Sequence, residues 1–262
     1  MARLSMSDIW DETRAFLARE KALILPLGFA TFGLALLLLA MAAPAEASAQ
    51  TRPGIWMLWF VPGFMLITTG YLAVSAIALT PNISVGESLG VAMKRLPSAI
   101  ALTCLMMGAM LLVLTISVML IGVVGAATGM TLERAAVASV VVALVPIFWL
   151  SIRLLLVWPL LVVRGGGPAD AMRRSFALTA GNALPIAGML LLFGMTYLLT
   201  TGVAQIAGGS VFLLIGRAIG LPGLGHGIAA VLVAGVGGLL ATVWTLFLAL
   251  LYRRLEGSRS GT

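Results

Sequence analysis

The sequence predicts an all-α fold: a polytopic membrane protein of six transmembrane helices plus three cytoplasmic interfacial amphipathic helices, built as three helix–span–span repeats. Three observations carry this. The 262 residues are 61% hydrophobic and 10% charged, with a mean hydropathy of +1.13. A soluble domain has roughly 25% charged residues, so lipid must solvate this surface. The chain also holds six apolar runs, each long enough to cross a bilayer, for which about 20 residues suffice. Finally, matching amphipathic strings recur 79 residues apart.

In chain order, residues 5–21 place Ile9, Trp10, Thr13, Phe16 and Leu17 at helical spacing, with Asp8, Asp11, Glu12, Arg14 and Arg19 opposite. Ser5-x-x-Asp8 is a helix-start signal. The pattern predicts a helix flat in the interface, with Trp10 and Phe16 in lipid. Residues 22–43 are the first span. Ala47-Ser48-Ala49 has the form of a signal-peptidase site, but the run before it is too long for a signal core and follows an acidic helix. The span is therefore read as retained. Residues 54–79 are the second span, opened by the aromatic belt of Trp56, Trp59 and Phe60.

Residues 84–97 are the second amphipathic segment, started by the capping box Ser84-x-x-Glu87. Residues 98–128 are the third span, longer than a bilayer requires. Residues 135–163 are the fourth, with Arg153 inside. Gly165 to Gly167 form a hinge, and Pro168 opens the third amphipathic helix at a first-turn position. There Ala169, Met172, Phe176 and Ala180 are expected on one side. Residues 183–207 are the fifth span. Residues 208–226 are too apolar for a loop and too broken for a span, which predicts a short interfacial or re-entrant helix. Residues 227–252 are the sixth span. Its stripe of Ala230, Ala234, Gly238, Ala241 and Thr245 lets another helix approach closely.

The repeat rests on two coincidences. Ser5-x-x-Asp8 precedes Ser84-x-x-Glu87 by 79 residues, and Ala92-Met93-Lys94-Arg95 precedes Ala171-Met172-Arg173-Arg174 by the same 79. Units of about 5–80, 84–163 and 167–252 follow, within one transmembrane domain over 1–257 and a flexible tail at 258–262. Two spans per unit give all three the same orientation, unlike an inverted-repeat transporter.

The net charge is +7. Because the basic residues flank apolar runs, they read as orientation signals and contacts to anionic lipid, not as a nucleic-acid surface. Twelve of the 16 Lys and Arg fall on the side of the termini, against Arg52, Arg134 and Arg217 opposite. That bias predicts cytoplasmic N and C termini in a bacterial inner membrane.

No span contains Asp or Glu, so paired carboxylates for acid–base chemistry are missing from the apolar runs. One histidine, His226, and one cysteine, Cys104, offer no metal-ligand pattern and no intrachain disulfide. No cofactor and no enzyme activity are expected. Arg153 is a fixed cation that cannot shuttle protons. Two readings of it stay open. It snorkels or locks helices, or it binds an anion together with Arg173, Arg174, Lys94, Arg95 and Ser175.

The stretch Pro159, Gly167-Pro168, Ala171, Arg174-Ser175, Leu178-Thr179 and Gly181 resembles the glycerophosphoryl diester phosphodiesterase membrane-domain family and its YciC-like relatives. Those are polytopic helical bacterial proteins, and in some members the domain precedes a soluble catalytic domain. The likeness covers the membrane part alone and implies no hydrolase activity here. The expected role is a non-catalytic scaffold, assembly factor or subunit of a larger membrane complex, with protein partners in the membrane. The alternative is a lipid- or amphiphile-handling protein centred on Arg153.

Overall fold

The computed structural model describes residues 5–42, 54–164 and 166–260. These are helical apart from short turns, with no strand among them, and six helices are long and apolar enough to cross a membrane. They are α1 (Met6–Ala42), α2 (Phe60–Leu79, entered through a 3-10 turn at Ile55–Trp59), α3 (Val85–Thr128), α4 (Leu132–Leu154) with its continuation α5 (Val157–Arg164), α7 (Ala183–Ala218) and α8 (Pro222–Ser260). A short helix, α6 (Pro168–Thr179), stands between α5 and α7. The loop carrying Ala47-Ser48-Ala49 lies outside the described residues.

The core is α1, α2, α8 and the short α5. Phe32, Leu72, Leu161, Leu246, Phe247 and Tyr252 are among its fully buried side chains. Glycines let these helices close up. A Cβ on Gly238 of α8 would stand 2.7 Å from the Gly33 nitrogen and 2.8 Å from its Cα. A Cβ on Gly70 of α2 would meet Thr31 and Phe32 of α1. Between membrane helices, packing of this kind supplies attraction that lipid-exposed leucines cannot. The outer parts of the α3–α4 hairpin and of α7 lie away from this centre, while Ala92, Ala99 and Leu102 of α3, Ile152 and Leu154 of α4 and Ile186 of α7 join its buried cluster. The most apolar windows of α3 and α7 are only 6% buried.

Several expectations are corrected. Residues 5–21 and 84–97 are not separate interfacial helices. They are the first turns of α1 and α3, which run on unbroken for 37 and 44 residues. Stopping a helix at 21 or 97 would strand four C=O and four N–H groups beside the bilayer. Ile9 and Thr13 are buried in the bundle, while Trp10, one of the two residues expected in lipid, is exposed and Phe16 is half-buried. Residues 208–226 form neither a re-entrant nor an interfacial helix. They are the end of α7, a turn with Gly220 at φ 72°, and the start of α8. The tail is helical to Ser260. The fourth span is interrupted at residues 155–156. Pro159 has no N–H for the Leu155 carbonyl, and its ring crowds that carbonyl, so the break falls one turn before it.

The two ends of the chain meet. Arg253 and Arg254 pair with Glu12, and Arg254 lies 3.6 Å from Asp8. The start of α1 and the end of α8 therefore share one side of the bundle.

Candidate functional site

Arg153 sits in the last turn of α4, immediately before the break. The break frees this part of the main chain to be met from outside its own helix. Ser175 of α6 does so, donating its hydroxyl to the Arg153 carbonyl at 2.6 Å. In return the Arg153 guanidinium donates through Nη1 to the Phe176 carbonyl at 3.4 Å. Its carbon lies 5.4 Å from the ring centroid of Trp149, one turn earlier on α4, and Trp149 meets Phe176 edge-on at 5.7 Å. Thr179 completes the cluster, donating to the Ser175 carbonyl at 2.9 Å. The Arg153 Nε is buried and has no hydrogen-bond partner among the described residues.

Local sequence explains why α6 presents these groups. Gly167 caps the helix and Pro168 takes its first position. Ala171, Ser175, Leu178 and Thr179 then fall on one face and are buried. This corrects the expected stripe of Ala169, Met172, Phe176 and Ala180. Ala169 and Ala180 are exposed, while Met172 and Phe176 are half-buried at the flank. Small side chains let α6 approach α4 and α5; the buried Ser175 hydroxyl finds a carbonyl on α4, and that of Thr179 is satisfied within α6.

Of the proposed anion ligands, the structure joins Arg153 and Ser175 directly. Arg174 is committed to Asp170 at 3.0 Å, an exposed i, i+4 pair worth about 0.3–0.5 kcal/mol. Arg173 is exposed on the same helix. Lys94 is exposed and Arg95 half-buried on α3, which packs beside α6. On α8, Ala234 and Gly238 are buried, and Ala230 and Ala241 half-buried. The sequence reading missed Trp149, Thr179 and the Phe176 carbonyl. Trp149 was findable, because an aromatic ring four residues before a membrane arginine lies on its face.

A cavity of about 690 Å³ lies at the end where the termini meet, between α1 and the 80–84 turn. Arg19 and Arg253 line it, but each already pairs with a carboxylate, Glu20 and Glu12. Among the described residues no group of three or more His, Cys, Asp or Glu could hold a metal ion. No protein-family model, curated protein or solved structure matches this chain.

Proposed function

We propose that the chain is a non-catalytic integral membrane protein that serves as a scaffold, assembly factor or subunit of a larger complex in a bacterial inner membrane. One observation carries this. At 1.5 Å per residue, the 44 residues of α3 extend about 66 Å, against about 30 Å of hydrocarbon. Its first part packs into the bundle through Ala92, Leu96, Ala99 and Leu102, but in its most apolar 18-residue window only 6% is buried by the chain itself. Even without the polar first turns, the tip of the α3–α4 hairpin outruns the hydrocarbon. That tip presents Met119, Val123 and Leu132, the last 88% exposed. Lipid tails cover the mid-span, and a protein partner is the natural cover for an apolar tip beyond it.

Photo-crosslinking amino acids at Val123 and Leu132, and at mid-span Leu111 as control, test this in cells. Protein adducts at the tip positions and lipid adducts alone at Leu111 are expected. Lipid adducts alone at all three would remove the complex reading.

Cytoplasmic termini belong to the same proposal and rest on the twelve-to-three charge bias. The three-unit organisation rests on the 79-residue spacing, and the two continuous helices α1 and α3 make its units unequal in form. The likeness to the glycerophosphoryl diester phosphodiesterase membrane-domain family is carried by α6 and its flanks. Four of its positions, Ala171, Ser175, Leu178 and Thr179, are the buried face of α6, so a docked helix accounts for them without chemistry.

The unpaired Arg153 Nε favours a second reading, an anionic-lipid site. In that reading Arg153→Leu lowers co-purified anionic lipid while the six-span topology persists. Unchanged lipid content leaves Arg153 as a helix lock.

A further inference from the structure

α7 and α8 pack antiparallel, and three contacts set their register. Phe193 stacks on Trp244 at 4.4 Å, the Tyr197 hydroxyl faces Gly237, and Gly208 faces Leu232. Leu36 of α1 also lies beside Gly237. Gln205 therefore falls near the depth of Leu36. Leu36 is six residues before the end of α1 at Ala42, or about 9 Å of helix. Gln205 is thus level with the apolar run of residues 22–43, in the half of the bundle away from the termini.

At that depth α1, α7 and α8 line an open cleft of about 520 Å³, within the roughly 300–1,000 Å³ of small-molecule sites. Tyr197, Thr201 and Gln205 line it from one stripe of α7, and His226 joins them from the start of α8. Leu36 and Ala230 supply apolar wall. The Thr201 hydroxyl is used within its own helix, donating to the Tyr197 carbonyl at 2.6 Å. The Gln205 amide and the His226 imidazole make no hydrogen bond to any described residue, and both side chains are exposed. An amide open to hydrocarbon without a partner is strongly disfavoured. The helix is also altered here: Ala204–Gly209 is a π turn, which adds a residue to the coil and recurs at functional sites.

We propose that this cleft binds a membrane amphiphile with an uncharged, hydrogen-bonding head. Gln205 and His226 hold its hydroxyl and ester-carbonyl groups, and its chain lies along Leu36 and Ala230. None of the described lining residues is Asp, Glu, Lys or Arg, so recognition runs through hydrogen bonds and not through a phosphate charge. A diacylglycerol-type head has this chemistry. The inference is independent of the complex reading and of Arg153.

Native mass spectrometry of delipidated, detergent-solubilised protein tests it, with dioleoylglycerol as the probe and dioleoyl phosphatidylglycerol as the anionic comparison. Wild-type protein should hold one dioleoylglycerol in preference. Gln205→Leu should weaken that binding about tenfold, the loss of one or two amide hydrogen bonds, and leave phosphatidylglycerol binding unchanged. Ala230→Phe should fill the cleft and abolish it. Should Ala230→Phe fail to fold, Gln205→Leu, which removes only the amide, decides. Wild-type protein without bound dioleoylglycerol, or Gln205→Leu protein that binds it as wild type does, overturns the proposal. Displacement by free glycerol would assign the site to a soluble polyol and overturn the lipid assignment.

Discussion

Two residues decide how closely the helices meet, and each gives a measurable consequence. Gly238 rests on the backbone of Gly33, which has no side chain to swing aside. Gly238→Leu should therefore force α1 and α8 apart, costing about 1–3 kcal/mol or more and lowering the melting temperature in detergent. Gly188→Ala is the control, since a Cβ there meets nothing within 4 Å. Its melting temperature should hold or rise, because alanine loses less backbone freedom than glycine. Ser175 is fully buried, and its one direct task is the Arg153 carbonyl. Ser175→Ala leaves that carbonyl facing a methyl group and should destabilise by about 1–3 kcal/mol, read from the same melts. A melt equal to wild type would mean that the carbonyl finds another donor.

At the scale of elements, the break between α4 and α5 follows from Pro159, and its removal is testable. Pro159→Ala restores the N–H that the Leu155 carbonyl lacks. Spin labels at Val145→Cys and Val163→Cys, in a Cys104→Ser background, should then separate to about 27 Å, the length of 18 residues of straight helix. The unsubstituted kinked helix should give a shorter distance. The sequence made the existence and order of the spans legible, because apolar runs and charge placement are local properties. It also placed the start of α3, where Ser84 and Glu87 form a reciprocal capping box at 2.9 and 3.2 Å. Helix ends inside continuous runs were not legible. A polar segment followed by an apolar one marks a change of solvent, and a helix crosses that change without breaking its hydrogen bonds. The face of α6 was misjudged for a related reason. A hydrophobicity stripe favours Phe176 over Ser175, yet the close approach of α4 selects the small residue whose hydroxyl a free carbonyl can accept.

The whole molecule is a tight centre of α1, α2, α8 and the short α5 with the α3–α4 hairpin and α7 laid against it, and its two ends are tied at one side. That tie fixes the relative topology: six crossings return the chain to the side on which it began, and Arg253 and Arg254 reach Glu12 there. The absolute side comes from charge. Lys21, Lys94, Arg95, Arg173 and Arg174 lie in the segments on the side of the termini, while Arg134 and Arg217 lie at the opposite hairpin tips. Positive residues near span ends are retained in the cytoplasm, so the termini should be cytoplasmic and the tips outside. A reporter enzyme active only outside the cytoplasm should be silent when fused after Thr262. Inserted at the Gly129–Thr131 turn, the same reporter should be active. The turn tolerates this because Gly129, at φ 70°, already ends α3 and begins a reversal. Activity after Thr262 with silence at the turn would invert the protein. It would also move the cleft beside Gln205 to the cytoplasmic leaflet, leaving its geometry untouched.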